Sequence, residues 1–383
     1  MDKQRKQRRQ VLRGVAAAAG SAMLGWNAHA QDSREIRIGQ SAVLSGPLAP
    51  SVMSLVKGQD LALDEINRKG GIGGRRVRFI ALDDAYDPKK TVENVTTLID
   101  KEKVVALTGF TSASSVAAAL PLLAEKKVPL IGAYSGSPSL RAKHNPYLFT
   151  LFASYRDELV QMIRTLVSAQ RTQLGVIYQN HPFGQLMLPV VEEVAREQGA
   201  TLVGRQPLEN NGSDAVNSAH ALGQSKPQAV LLLAFGPSII GFIKAARSYV
   251  GAPIYALSIA NAKPIVAALG DDARGIAFTQ VIPYPFRQTS PLTRDFAAAM
   301  ERENIEIDYD HFFGYMNVRV LAEGLKRAAA SGRGVTSESL IAGMESIGKL
   351  DMGGYPINFG PQRHHGSSFV DLTIVGPRGR YMR

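Results

Sequence analysis

Short aliphatic and β-branched runs alternate along the chain with apolar residues on helical spacing. Residues 36–39 open a strand. Leu55, Leu61, Leu63 and Ile66 recur at helical intervals within residues 54–69, and Gly70-Gly71 stops that helix. The rhythm continues with strand 77–82, helix 88–101, strand 104–108, helix 114–126 and strand 128–131. It then restarts. Helix 156–169, strand 174–178, helix 185–198, strand 201–205, helix 215–222, strand 229–235, helix 238–250 and strands 254–257 and 275–281 form a second series. Helices 291–303, 311–330 and 337–346 and strands 355–357 and 369–375 close the chain. Strand–helix alternation of this kind builds parallel sheets covered by helices. Two such series predict two α/β lobes, with a ligand site in the cleft between them at the carboxyl ends of strands.

The first thirty residues fall outside this pattern. Basic residues up to Arg13, a mild apolar stretch over 14–26 and Ala28-His29-Ala30 have the layout of an export signal cleaved near Ala30. Arg8-Arg9 followed by Val11 and Leu12 has the form of the twin-arginine variant, which carries folded cargo. The stretch is too short to span a bilayer, so no membrane insertion after cleavage is expected and the address is the periplasm. The leader also inflates the charge. The whole chain carries a formal +11, but six basic residues and one acid of the leader account for five of it. The remaining basic residues are scattered and not interleaved with aromatics, which argues against nucleic acid as a partner. Cysteine is absent, so disulfides, thiolate nucleophiles and zinc–sulfur sites are excluded.

Little in the chain reads as catalytic machinery. Ser135 lies in Gly-Ala-Tyr-Ser-Gly, which is not a nucleophile elbow. No histidine pair has zinc-binding spacing, and His364-His365 falls in a polar turn expected at the surface. Gly70 to Gly74 follow a helix and precede a strand, the wrong order for a phosphate cradle and the right one for a helix stop and turn. Asp83-Asp84 ends a strand, where a loop cap competes with a metal or sugar contact. Two other junctions run strand, loop, helix. These are residues 109–115, with Ser112, Ala113 and Ser114, and residues 132–138, with Tyr134, Ser135 and Gly136. Each offers backbone N–H groups and hydroxyls for an anion, or serines that merely cap a helix. No cofactor is expected.

Residues 36–47 (IRIGQSAVLSGP), 62–74 (ALDEINRKGGIGG) and 82–88 (LDDAYDP), together with the loops at 109–115 and 128–138, resemble the periplasmic leucine/isoleucine/valine-binding proteins of ABC transporters. The resemblance covers essentially the whole chain after the leader. It implies type I periplasmic binding protein architecture: two doubly wound Rossmann-like lobes joined by a three-strand hinge. Lobe 1 would comprise 31–153 plus 282–348, and lobe 2 would comprise 154–281 plus 349–383. It further implies a small-molecule carboxylate ligand, an ABC transporter permease as partner, and no enzymatic activity. A ligand sensor of the same fold, or an exported α/β enzyme, are the alternatives. The family's carboxylate-binding serine falls at Ala113 or, one place shifted, at Ser112 or Ser114. Its next loop falls at Tyr134 to Gly136, and its two covering tyrosines at Phe183 and Phe235. An apolar wall falls around Ser51. The family's ammonium-pairing glutamate falls in the stretch with Ser258 and Ile259, where residues 256–260 contain no acid. A buried ammonium without a carboxylate is costly. A hydrophobic or aromatic acid lacking an amine is therefore the expected ligand, with a branched-chain amino acid-like solute second.

Overall fold

Two sheets organise the chain, each flanked by helices; the computed structural model describes residues 35–46 and 49–383. The expected leader, its cleavage site and residue 31 lie outside the described residues. In the first sheet, strands β1 (Glu35–Ala42), β2 (Arg76–Asp83), β3 (Ala106–Thr108), β4 (Leu130–Ile131) and β5 (Leu148–Phe149) lie in the order β2-β1-β3-β4-β5, all parallel. Helices α1 (Ala49–Arg68), α2 (Pro88–Asp100) and α3 (Ala113–Lys126) make the crossovers. Strand periodicity puts Ala106, Ile131 and Phe149 into one buried cluster and their neighbours Leu107, Leu130 and Leu148 into another. Such strands, buried on both faces, read as continuous apolar runs.

The second sheet repeats the plan. Strands β6 (Gln173–Gln179), β7 (Thr201–Leu208), β8 (Ala229–Leu233), β9 (Ile254–Ala256) and β10 (Ala277–Gln280) are parallel in the order β10-β9-β8-β6-β7. Helices α4 (Tyr155–Ser168), α5 (Pro182–Glu197), α6 (Ala215–Gln224) and α7 (Ser238–Tyr249) belong to this lobe. Val230 and Leu232 pack on one face of β8, and Leu231 and Leu233 on the other. Helix starts follow their local chemistry. Asp87 accepts from the Lys89 N–H ahead of Pro88, and Ser154 and Asp157 form a capping box. Helix α8 (Ala262–Leu269), capped by Asn261, stands where no helix was expected.

The C-terminal third divides between the lobes. Helices α9 (Pro291–Arg302), α10 (Tyr309–Ala330) and α11 (Ser337–Glu345) return to the first lobe, as does the hairpin of β11 (Gly348–Asp351) and β12 (Pro356–Phe359). Tyr355, Ile357 and Phe359 of this hairpin join the first lobe's core, fully buried with Phe149 and Phe312. Only β13 (Asp371–Val375) and β14 (Tyr381–Met382) enter the second sheet, where β13 pairs antiparallel to β10. The expected division at residue 349 is therefore corrected. The third passage between lobes follows β12, because the hairpin's aromatic residues need the first lobe's apolar surface. His364 is also not at the surface, although residues 361–363 of the turn before it are exposed. His364 is 2% exposed, stacks on Phe149 at 3.8 Å between ring centres, and lies between the Asn145 carbonyl and Glu345.

Candidate functional site

A cavity of about 440 Å3 lies between the lobes, within the range of small-molecule sites. Its first-lobe wall includes the loop after β4, with Tyr134, Ser135 and Gly136. Ser135 and Gly136 are buried; among the described residues the Ser135 N–H has no hydrogen-bond partner, while the Gly136 N–H and the Ser135 hydroxyl are directed at the Tyr155 phenol oxygen. The carbonyls on this loop are engaged elsewhere. Arg141 Nη1 donates to the carbonyl oxygens of Ser135 and Ser137, and its Nη2 to that of Phe152. The Gly136 carbonyl accepts from the Tyr155 N–H. Burial pulls the Arg141 pKa below the ordinary guanidinium value. With the Ser135 N–H free among the described residues, carbonyls drawn away and a guanidinium behind the loop, this wall is suited to a carboxylate.

The body of the cavity is aromatic. Tyr134, Phe152 and Phe313 pack on one another, with 4.1 Å between the Phe152 and Phe313 ring centres. Leu55 and Tyr155 add to this wall, and Phe286, Tyr309 and Tyr381 form a second group towards the far end. Such rings supply large apolar area with few polar handles.

The second-lobe wall holds Ser258 and Ile259, just after β9. An acid lines the same wall. Glu158, in the first turn of α4, is 0% exposed. Its Oε2 accepts from the Ser258 N–H at 2.8 Å and from the Thr279 hydroxyl, and its Oε1 accepts from the Ser258 hydroxyl at 2.9 Å. Burial pushes its carboxyl up to about 6 from 4.5, against the pull of those hydrogen bonds. At the seam between lobes, Asn261 Nδ2 donates to Ser51 Oγ at 3.0 Å and to Asp310 Oδ2 at 3.2 Å. Lys263 Nζ donates to Asp308 at 2.5 Å. Burial opposes ionisation of Asp308, but hydrogen bonds from His311 and Lys263 outweigh it and hold the carboxyl down at about 2. Asp310 goes the other way, pushed up to about 6 by burial and then by neighbouring Asp308.

The expected site residues therefore divide. Tyr134, Ser135, Gly136, Ser258 and Ile259 line the cavity; Ser112, Ala113, Ser114, Ser51, Phe183 and Phe235 do not. Ser112 accepts from the Ser115 N–H as the cap of α3 and pairs with the Ser114 hydroxyl at 2.7 Å, so these serines serve their own helix. Phe183 packs edge-on against Tyr155, and Phe235 against Phe183, which places both behind the lining. Ser51 sits at the seam as an acceptor for Asn261. The Asp83-Asp84 pair caps its loop. Asp83 accepts from the N–H groups of Leu44 and Ala85, and Asp84 from the hydroxyls of Ser41 and Thr91. Among the described residues, no group of three or more His, Asp or Glu side chains is placed to hold a metal ion, and no helix is long and apolar enough to cross a membrane. Glu158, Asp308, Asp310, Phe313 and Tyr381 were not anticipated. For Glu158 the available signal was Ser-x-x-Asp-Glu at a helix start, which marks a cap rather than a pocket.

Known proteins match this arrangement. A solved extracellular ligand-binding receptor from Verminephrobacter eiseniae superposes with a TM-score of 0.84 at 25% identity, covering 91% of this chain and 100% of that one. A substrate-binding periplasmic protein from Ralstonia solanacearum gives 0.80 at 28% identity, covering 91% and 99%. In sequence, the Leu/Ile/Val-binding protein homolog 7 of Brucella abortus is 23% identical over 340 residues, 84% of each chain. The periplasmic binding protein family model matches residues 35–377, and with two lobes closing on one cavity the chain belongs to that family of solute-binding proteins.

Proposed function

We propose that this protein is the periplasmic solute-binding component of an ABC importer, capturing a small carboxylate-bearing solute with a hydrophobic or aromatic body. The observation that carries this reading is the buried Ser135 N–H, which has no hydrogen-bond partner among the described residues, on the wall of an aromatic cavity between two lobes. It would hold the carboxylate together with the adjoining Gly136 and Tyr155 donors, while Phe152, Phe313 and Tyr134 enclose the body. The relatives' names agree in class, since the Brucella protein is named for leucine, isoleucine and valine. The protein performs no chemistry in this role. Solute bridging both walls favours the closed form, and closure presents a new surface to a permease. Delivery to the periplasm would use the N-terminal leader, cleaved near Ala30. Replacing Arg8 and Arg9 by Lys separates twin-arginine export, which stops, from a simple basic leader, which continues.

Mass spectrometry of solute released by denaturing gently purified protein tests the reading. A small acid with an apolar or aromatic part is expected, and deletion of the gene should abolish its uptake. A sugar, a polyamine or a metal chelate in the cavity would overturn it. Unchanged uptake with altered signalling would point instead to a sensor of the same fold.

A further inference from the structure

The stretch after β9 lacks the acid that would pair an ammonium, yet the fold brings one to the same place from a hundred residues upstream. Both hydrogens that Ser258 can donate, on its N–H and on its hydroxyl, go to the Glu158 carboxylate. The carboxylate is closed off from solvent and also takes the Thr279 hydroxyl, so its acceptor capacity is directed at protein donors. Ser258 itself lines the cavity. A serine whose only hydroxyl hydrogen is committed to a neighbouring carboxylate can offer the cavity only lone pairs. Its oxygen, polarised by the carboxylate, is an acceptor that cannot turn into a donor.

We propose that Glu158 and Ser258 form a specificity relay: Glu158 fixes Ser258 as an acceptor, so the second lobe selects acids carrying a hydrogen-bond donor beside the carboxylate. An α-ammonium and an α-hydroxyl share that chemistry. An acid bound at Ser135 and Gly136 would reach across the cleft with this donor and tie the two lobes together. The negative charge of Glu158, one residue behind the contact, adds a preference for the ammonium. An acid with only C–H groups at that carbon leaves the Ser258 oxygen desolvated and unpaired, which costs affinity. Glu158 is a positioning residue, acting through Ser258. The inference rests on the carboxylate reading above and narrows its solute class.

Calorimetry with matched acids tests it. One set is leucine, 2-hydroxy-4-methylpentanoate and 4-methylpentanoate, and the other is phenylalanine, phenyllactate and 3-phenylpropanoate. In the better-fitting set the wild-type protein should bind both donor-bearing acids at least about tenfold more tightly than the donor-free one. Ser258→Ala should bring the three within about threefold of one another, and Ser258→Thr should restore discrimination. Glu158→Gln should weaken the ammonium acid more than the hydroxy acid. Melting curves report folding, and if Glu158→Gln does not fold, the two Ser258 variants decide. Donor-free acids binding as tightly as the others would overturn the relay and leave the carboxylate reading standing. Discrimination unchanged in Ser258→Ala would overturn it equally. If none of the six acids binds, the carboxylate reading falls and the relay with it.

Discussion

A fully buried carboxylate without a cation on its hydrogen-bonding atoms is an expensive residue to keep, and Glu158 makes that cost measurable. Its folded carboxyl titrates at about 6, above the ordinary 4.5 expected in the unfolded chain. As pH rises, the unfolded chain therefore releases this proton first. The penalty is absent below 4.5, grows between 4.5 and 6, and is constant above, reaching about 2 kcal/mol against folding. Asp310 acts with the same sign in the same window, so the contribution of Glu158 is read by difference. Asp308, held down at about 2, stabilises the fold above its ordinary range and loses that effect only in stronger acid. Urea denaturation from pH 4 to 7.5 should show wild-type stability falling between 4.5 and 6 more steeply than that of Glu158→Gln. Parallel curves would mean that Glu158 is not the titrating group. Retention of a carboxylate that lowers stability at neutral pH is what a binding role for the residue requires.

At the scale of elements, the first-lobe wall depends on how closely α1 and α10 cross. A Cβ on Gly58 would stand 1.9 Å from the His311 carbonyl oxygen, and one on Gly314 1.8 Å from that of Leu55. The two glycines let the helix backbones touch, and both helices contribute to the cavity wall, α1 with Leu55 and α10 with Phe313. Gly314→Ala must push the helices apart, a destabilisation of at least about 1–3 kcal/mol, with weaker ligand binding as the wall shifts. Chemical denaturation and calorimetry read the two effects, and an unchanged midpoint would refute the crossing. The elements themselves were largely legible. Strands such as β8 are buried on both faces and appear as unbroken apolar runs, while α10 carries a long helical pattern. Helix α8 was not legible, because eight residues containing Pro264 give too short a period. Nor was the return of β11 and β12 to the first lobe, since Tyr355 and Phe359 are apolar in either location and only packing decides. The cavity was half legible. Tyr134, Ser135, Gly136 and Ser258 follow strands and could be placed by topology. Glu158 and Asp310 could not, because each sits in a first helical turn, where an acid is ordinary, and each gains its meaning from a partner distant in sequence.

For the whole molecule, the quantity that matters is the balance between open and closed lobes, and Asn261 is the residue on which it can be moved cleanly. It holds three contacts at once. Its Oδ1 caps α8 through the Lys263 N–H, and its Nδ2 reaches Ser51 and Asp310 of the other lobe. Its backbone has a left-handed φ of 51°, which asparagine and aspartate tolerate better than other side chains. Asn261→Asp keeps the cap and the backbone but replaces the bridging donor by a carboxylate facing Asp310. Once the pH is high enough to ionise both acids, the lobes should separate in the absence of solute. Small-angle scattering should show a larger radius of gyration than wild type, and affinity for the natural solute should fall because closure now works against repulsion. The pH dependence gives the decisive sign. Burial and Asp308 already raise the Asp310 carboxyl, and a facing carboxylate raises it further, so on acidification one acid of the pair takes up a proton, donates to the other, and the lobes should close again. A variant that stays expanded at pH 5 has lost its fold at the seam rather than its charge balance. One as compact as wild type with both acids ionised would show that the contacts of Asn261 do not hold the lobes together.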